Sequence, residues 1–209
     1  GLVISVTAIG AVQEDKITYR SGAKPGDIIC VSGDLGAAYL GLQLLEREKQ
    51  IYLSQPDLKP DLEGQEYVVG RQLKPEARCD MVAQLTKAGV IPTAMIDVSD
   101  GLGSDLMHLC RQSDTGAFIE ESNVPIHPEA QQLAIKFKLD PITCALSGGE
   151  DYELLFTIDP KDLPQVRLMA DIYMMGEMTQ PGHGIKLHTV GGNIHDIKAQ
   201  GWQHFQQDM

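Results

Sequence analysis

The chain has 209 residues, 43% apolar and 22% charged, which fits a globular protein with a core large enough to need no disulfide or metal staple. Its 17 Lys and Arg against 29 Asp and Glu leave a net charge of −12. That balance argues against nucleic acid or an anionic membrane as partner, since both need basic surface, but it leaves ATP open through local cations and bound Mg²⁺. No apolar run is long enough to span a membrane. The chain opens GLVISVTAIG, and residues 2–9 read as a Val- and Ile-rich strand. RSGAKPGD (20–27) is a turn region leading into a buried strand at 27–33. GDLG then leads into a helix, AAYLGLQLLEREK, and the Pro-containing stretch 50–64 reads as a loop. EYVVGRQL (66–73) and EARCDMVAQLTKAG (76–89) predict two helices, the second opened by Pro75 and closed by Gly89. VIPTAMIDV predicts a strand, residues 100–112 a helix striped by Leu102, Leu106, Leu109 and Cys110, and 115–121 a strand. A helix over 127–137, a strand over 152–158, a short helix, a strand over DIYMMGEM and a hairpin turning at Gly191–Gly192 complete the order. Interleaved strands and helices predict an α/β (α+β) layered domain, with one main sheet backed by helices.

Four cysteines (Cys30, Cys79, Cys110, Cys144) lack metal-ligand spacing and sit among apolar neighbours. They read as buried free thiols of a reducing cytoplasm. Six histidines are scattered, and His183 and His188 read as hairpin surface.

Two stretches carry candidate chemistry. In MIDVSDGL (95–102), Asp97 ends a strand, where functional groups of α/β sheets emerge, and Ser99 and Asp100 stand where the next helix begins. Ser99 or Asp100 can serve as N-cap, but capping needs only one of them. Two close carboxylates repel unless a cation lies between them, and Mg²⁺ takes a few carboxylate oxygens and shares the rest with water and phosphate. Both readings stand on spacing alone. Asp105, at the edge of the helix's apolar stripe, reads as a solvated charge. In SGGEDYEL (147–154) the glycine pair allows a tight turn or a close backbone approach, and Glu150, Asp151 and Glu153 cluster as a strand begins. The alternative is an ordinary turn with acids in water. Arg20 and Lys24 form a basic loop that can face phosphate. GDLG can present backbone N–H groups to an anion, though it lacks the residues of a P-loop. Trp202 is either a plug for the C-terminus or a stacking face for a flat or cationic ligand.

RSGAKPGD, LKPEAR (73–78), MIDVSDGL, LSGGEDYELLF and a closing GW-x-HF, in this order, resemble the thiamine-monophosphate kinase family from about residue 4 to residue 205. The wider superfamily includes aminoimidazole ribonucleotide synthetase, selenophosphate synthetase and a hydrogenase-maturation enzyme, all two-domain users of ATP. The resemblance implies a mixed sheet like that of the C-terminal domain of aminoimidazole ribonucleotide synthetase-like enzymes. It implies transfer of the ATP γ-phosphoryl group to thiamine monophosphate, giving thiamine diphosphate. Asp97 and Asp100 would hold Mg²⁺, Arg20 and Ser99 would contact ATP, and Glu150 and Trp202 the thiamine. Motifs like GDDAA and GGD, which supply further metal aspartates in that family's N-terminal domain, do not occur here. The expectation is that residues 1–19 are a strand and linker left from such a domain and 20–209 a C-terminal α/β domain. The fragment alone would then be inactive. Its partners would be the missing domain and, through an exposed segment 2–9, a second copy as homodimer. Two rival readings are another ATP-using member of the superfamily and a non-catalytic binding or assembly module.

Overall fold

The computed structural model describes residues 3–197. Its first residues form no strand: Val3, Ile4, Val6 and Ile9 face solvent, and nothing pairs with them among the described residues. The strand expected over 2–9 is corrected on this point. β-branched residues favour extended backbone, but a strand is held by its ladder and by cross-strand packing, and this segment has neither.

The first ordered elements are β1 (Ile28–Ser32), α1 (Ala37–Ser54), α2 (Glu66–Leu73), α3 (Cys79–Ala88) and β2 (Ala94–Asp97). They are followed by α4 (Leu102–Ser113), β3 (Gly116–Glu120), α5 (Pro128–Lys136), α6 (Pro141–Ser147) and β4 (Leu154–Ile158). The last described elements are α7 (Leu163–Val166), β5 (Ile172–Thr179), β6 (Ile185–His188) and β7 (Ile194–Asp196). Among the described residues the strands make one seven-stranded sheet in the order β2-β4-β1-β5-β3-β6-β7. β1 lies between β4 and β5, antiparallel to both, whereas β3 and β6 run parallel, so the sheet is mixed as expected.

Both faces of the sheet are covered. Alternation along β1 sends Ile29 and Val31 to one face, against Leu102, Leu106 and Leu109 of α4. Cys30 goes to the other face, with Phe156 and with Met81 and Leu85 of α3. A helical layer of α1, α2, α5 and α6 packs through Leu40, Leu44, Val68, Leu133 and Cys144.

Several local expectations change. α1 runs on to Ser54, into the stretch read as a loop, and the rest of that loop is tied back by the Asp61 N–H donating to the buried Glu48 carboxylate (2.9 Å). α3 begins at Cys79 rather than behind Pro75. α6 is unanticipated, seven residues opened by Asp140, which accepts the Ile142 N–H, and Pro141. Cys79 is exposed, while burial pushes Cys30 up to about 12 and Cys110 and Cys144 to about 11, which leaves these three thiols inert. The β6–β7 hairpin turns where expected, but His188 is not bare surface, since its Nδ1 lies 2.8 Å from Glu120 Oε2.

Candidate functional site

β2 and β4 are antiparallel, with Asp97 opposite Leu154. Their pairing continues past both strands. The Val98 N–H donates to the Glu153 carbonyl (2.8 Å), the Tyr152 N–H to the Val98 carbonyl (2.9 Å) and the Glu150 N–H to the Ser99 carbonyl (2.9 Å). The two motifs singled out in the sequence are thus fastened to each other at one end of the sheet. Gly149 permits it: its φ is 70°, and a Cβ there would lie 2.5 Å from the Ser99 carbonyl oxygen. Glu150 and Tyr152 also take the left-handed conformation, at φ 64° and 52°, which non-glycine residues adopt only where the surroundings enforce it.

The motif SGGEDYEL alternates about this line. Glu150 and Tyr152 point out and are joined by a hydrogen bond from the Tyr152 hydroxyl to Glu150 Oε2 (2.9 Å). That bond raises the Tyr152 pKa, and the nearby Asp97 and Asp100 charges add to it. Asp151 and Glu153 point in. Asp151 accepts the N–H groups of Gly36 (2.7 Å) and Ala38 (3.2 Å) at the start of α1. Burial lifts its pKa to about 7, against the lowering effect of those amides and of Arg71. Glu153 accepts from Arg71 Nη1 on Oε1 (2.8 Å) and from Ser32 Oγ on Oε2 (2.6 Å), and Arg78 Nη1 pairs with the same Oε2. These two acids are therefore framework, not solvated turn residues. Of the amides that GDLG and α1 could offer an outside anion, Gly36 and Ala38 already serve Asp151, and Gly33 and Leu35 donate to the Asp171 and Pro125 carbonyls.

In MIDVSDGL the capping reading fails. The N-cap of α4 is Gly101 (φ 99°), with no side-chain cap, and neither the Ser99 hydroxyl nor the Asp100 carboxylate makes a hydrogen bond among the described residues. The expectation for Asp105 is also overturned. It is 2% exposed, and its Oδ2 accepts the N–H groups of both Ser99 and Asp100 at 3.0 Å. Burial raises its pKa to about 6, with the charges of Asp100 and Asp97 adding to the rise and the two amides opposing it.

Arg20 reaches this end of the sheet because the Tyr19 carbonyl accepts the Met95 N–H of β2 (2.8 Å), and Arg20 Nη2 then lies 3.6 Å from Asp97 Oδ1. Lys24 does not join it. Its charge acts on Asp159, which follows the far end of β4. Of the residues singled out by resemblance, Arg20, Asp97, Ser99, Asp100 and Glu150 thus share one end of the sheet. Trp202 lies outside the described residues.

Behind Glu153 opens a cleft of about 540 Å³ that holds Arg71, Lys74 and Arg78. Its arginines are committed: Arg78 also meets Asp171 (2.6 Å) and Asp80 (3.1 Å), and Tyr67 donates to Asp34. The sequence reading missed this clasp, since only the LKPEAR segment touched it. Among the described residues no three acids, histidines or cysteines converge as a metal site. Asp97 and Asp100 offer two carboxylates, a donor set that suits Mg²⁺ when phosphates and further ligands complete its shell.

No family model matches the chain. Among curated proteins it is 34% identical to the thiamine-monophosphate kinase of Aquifex aeolicus over 202 residues, covering 97% of this chain and 58% of that protein. It is 32% identical to the thiamine-monophosphate kinase of Escherichia coli K12, covering 94% and 58%. The chain is a homologue of the thiamine-monophosphate kinases. It spans somewhat more than half the length of these relatives. Solved structures agree. AaThiL complexed with AMPPCP and TMP superposes with a TM-score of 0.70 at 32% identity, covering 90% of this chain and 54% of that one. The thiamine-monophosphate kinase of Stenotrophomonas maltophilia K279a gives 0.69 at 28%, covering 90% and 56%. The hydrogenase maturation protein HypE of E. coli gives 0.68 at 16%, covering 92% and 56%, and shares the fold.

Proposed function

We propose that this chain supplies part of a Mg²⁺-dependent kinase site that transfers the γ-phosphoryl group of ATP to thiamine monophosphate, giving thiamine diphosphate. The observation that carries the reading is the joining of MIDVSDGL and SGGEDYEL at one sheet end, which leaves the side chains of Asp97, Ser99, Asp100 and Glu150 at least partly exposed and outside the buried acid–arginine framework. Homology to thiamine-monophosphate kinases, one of them solved with AMPPCP and TMP, supplies the substrate class.

Asp97 and Asp100 would hold Mg²⁺, which neutralises phosphate charge when bound. Phosphoryl transfer asks mainly for positioning and charge neutralisation, so a P-loop lysine is dispensable. Arg20, across from Asp97, and the free Ser99 hydroxyl would bind and orient ATP phosphates. Glu150, its carboxylate oriented by Tyr152, would face the thiazolium cation of thiamine, with the aromatic face of Trp202 assigned to the same substrate. The setting is the cytoplasm, where free thiols stay reduced. Two carboxylates can hold a divalent cation but do not complete a catalytic metal site, so the chain alone is inactive and requires the carboxylates of a further domain.

A coupled ADP-release assay with Mg²⁺, ATP and thiamine monophosphate tests this. The 209-residue chain is expected to show no turnover, yet to bind MgATP weakly and to lose that binding in Asp97→Asn and Asp100→Asn. Robust turnover overturns the half-site. Absence of binding to either ligand, with firm self-association, replaces it by an assembly module.

A further inference from the structure

Asp105 is a buried acid that the proposed chemistry does not use. It is the fourth residue of α4, and its own N–H donates to the Gly101 carbonyl in the first helical turn (3.1 Å). From there its carboxylate reaches back past the N-cap and accepts two consecutive amides, Ser99 and Asp100, on one oxygen. A buried carboxylate is costly, and a neutral acceptor would satisfy the same N–H groups at lower cost. The acid also does something a neutral group would not. It draws both amides inward, leaving Asp100 exposed and Ser99 half-exposed, with neither side chain hydrogen-bonded among the described residues, and it places a buried carboxylate behind the outward pair Asp97 and Asp100.

We propose that Asp105 is a positioning residue that sets the turn 97–100 and strengthens cation binding by Asp97 and Asp100 without ligating the cation. This rests on the metal assignment made above for Asp97 and Asp100. Partners of this kind, one shell behind the ligands, typically contribute about 10- to 100-fold in metal affinity.

The test uses the whole 209-residue chain and Mn²⁺ alone as the probe, with free Mn²⁺ read by electron paramagnetic resonance and thermal unfolding recorded alongside. Asp105→Asn keeps an acceptor oxygen of the same shape and removes the charge. Asp105→Ala removes both. Leu133→Val, in the separate apolar cluster of the helical layer, is the control for plain destabilisation. The expected result is a loss of Mn²⁺ affinity of about tenfold in Asp105→Asn and at least as much in Asp105→Ala, with Leu133→Val lowering Tm but leaving affinity unchanged. If wild type binds Mn²⁺ through Asp97 and Asp100 while Asp105→Asn binds within about twofold of it, the positioning role is overturned and the metal assignment stands. If wild type does not bind Mn²⁺, or binds it unchanged after Asp97→Asn, the metal assignment itself fails and the role of Asp105 with it. Should Asp105→Ala not fold, Asp105→Asn decides the question.

Discussion

α1 and α4 start alike and are completed differently. Each follows a strand, each has a glycine with positive φ as N-cap, and neither receives a side-chain cap of the usual kind. Each is served instead by a buried aspartate accepting two amides. At α1 the acceptor is Asp151, 115 residues away from Gly36, whereas at α4 it is Asp105 of the same helix. The distant carboxylate couples two segments that would otherwise be independent and so belongs to the global fold. The local one shapes a turn and leaves the rest of the chain largely indifferent. Stability and ligand binding should therefore separate: loss of Asp151 or its neighbour Glu153 unfolds, and loss of Asp105 disarms.

The largest effect should come from Glu153→Gln, which leaves Arg71 and Arg78 short of their shared buried counter-charge. About 3 kcal/mol or more of unfolding free energy should be lost in urea titrations. Next, Asp151→Ala strands the Gly36 and Ala38 amides and part of the Arg71 charge, and should cost about 2–3 kcal/mol against about 1 kcal/mol for Asp105→Ala. The reverse order would break the comparison between local and distant carboxylates.

The same contrast can be sharpened with pH. Burial raises Asp151 from the ordinary carboxylate range to about 7, with Arg71 and Asp34 as the charged groups facing it. An acid whose folded pKa is raised favours the native state while protonated, so its contribution is complete below about pH 4 and is lost as pH climbs toward 7. Wild type should thus lose stability over that window by up to about 1.4 kcal/mol per pH unit relative to Asp151→Asn, which stays neutral throughout. Urea midpoints across the window check it, and parallel slopes for the two proteins would count against it. The smallest effect belongs to Arg20→Ala. Its pair with Asp97 is long and its side chain is 57% exposed, so unfolding free energy should move by no more than about 0.5 kcal/mol, while MgATP binding weakens.

Much of this frame was legible in the sequence, and the exceptions have physical causes. Periodicity places β1, α1, α4 and β4, because their apolar residues face packed layers on one side or both. It misplaces residues 2–9, since propensity describes what a strand would accept and not whether a neighbour is there to pair. It misses α6, whose seven residues are too few for a visible stripe, although Asp140 followed by Pro141 was a start signal. In the site, the residue types pointed to Asp97, Asp100 and Glu150, but which acids face inward depends on register. In SGGEDYEL, Asp151 and Glu153 turn inward and Glu150 and Tyr152 outward through left-handed backbone at Glu150 and Tyr152, a conformation that these residue types do not announce. Asp105 lies three residues beyond Leu102, on the side of the helix that packs, and that spacing outweighs the habit of assigning an acid to solvent.

The backbone zipper between 98–99 and 150–153 carries one more consequence. Loops that bind nucleotides often close on arrival, but this rim extends the sheet through three backbone hydrogen bonds. The amides of Val98, Glu150 and Tyr152 should exchange with deuterium as slowly as those of the ladder beside them. An incoming nucleotide would then meet an anvil already set, and whatever strikes against it has to be brought by another part of the assembly.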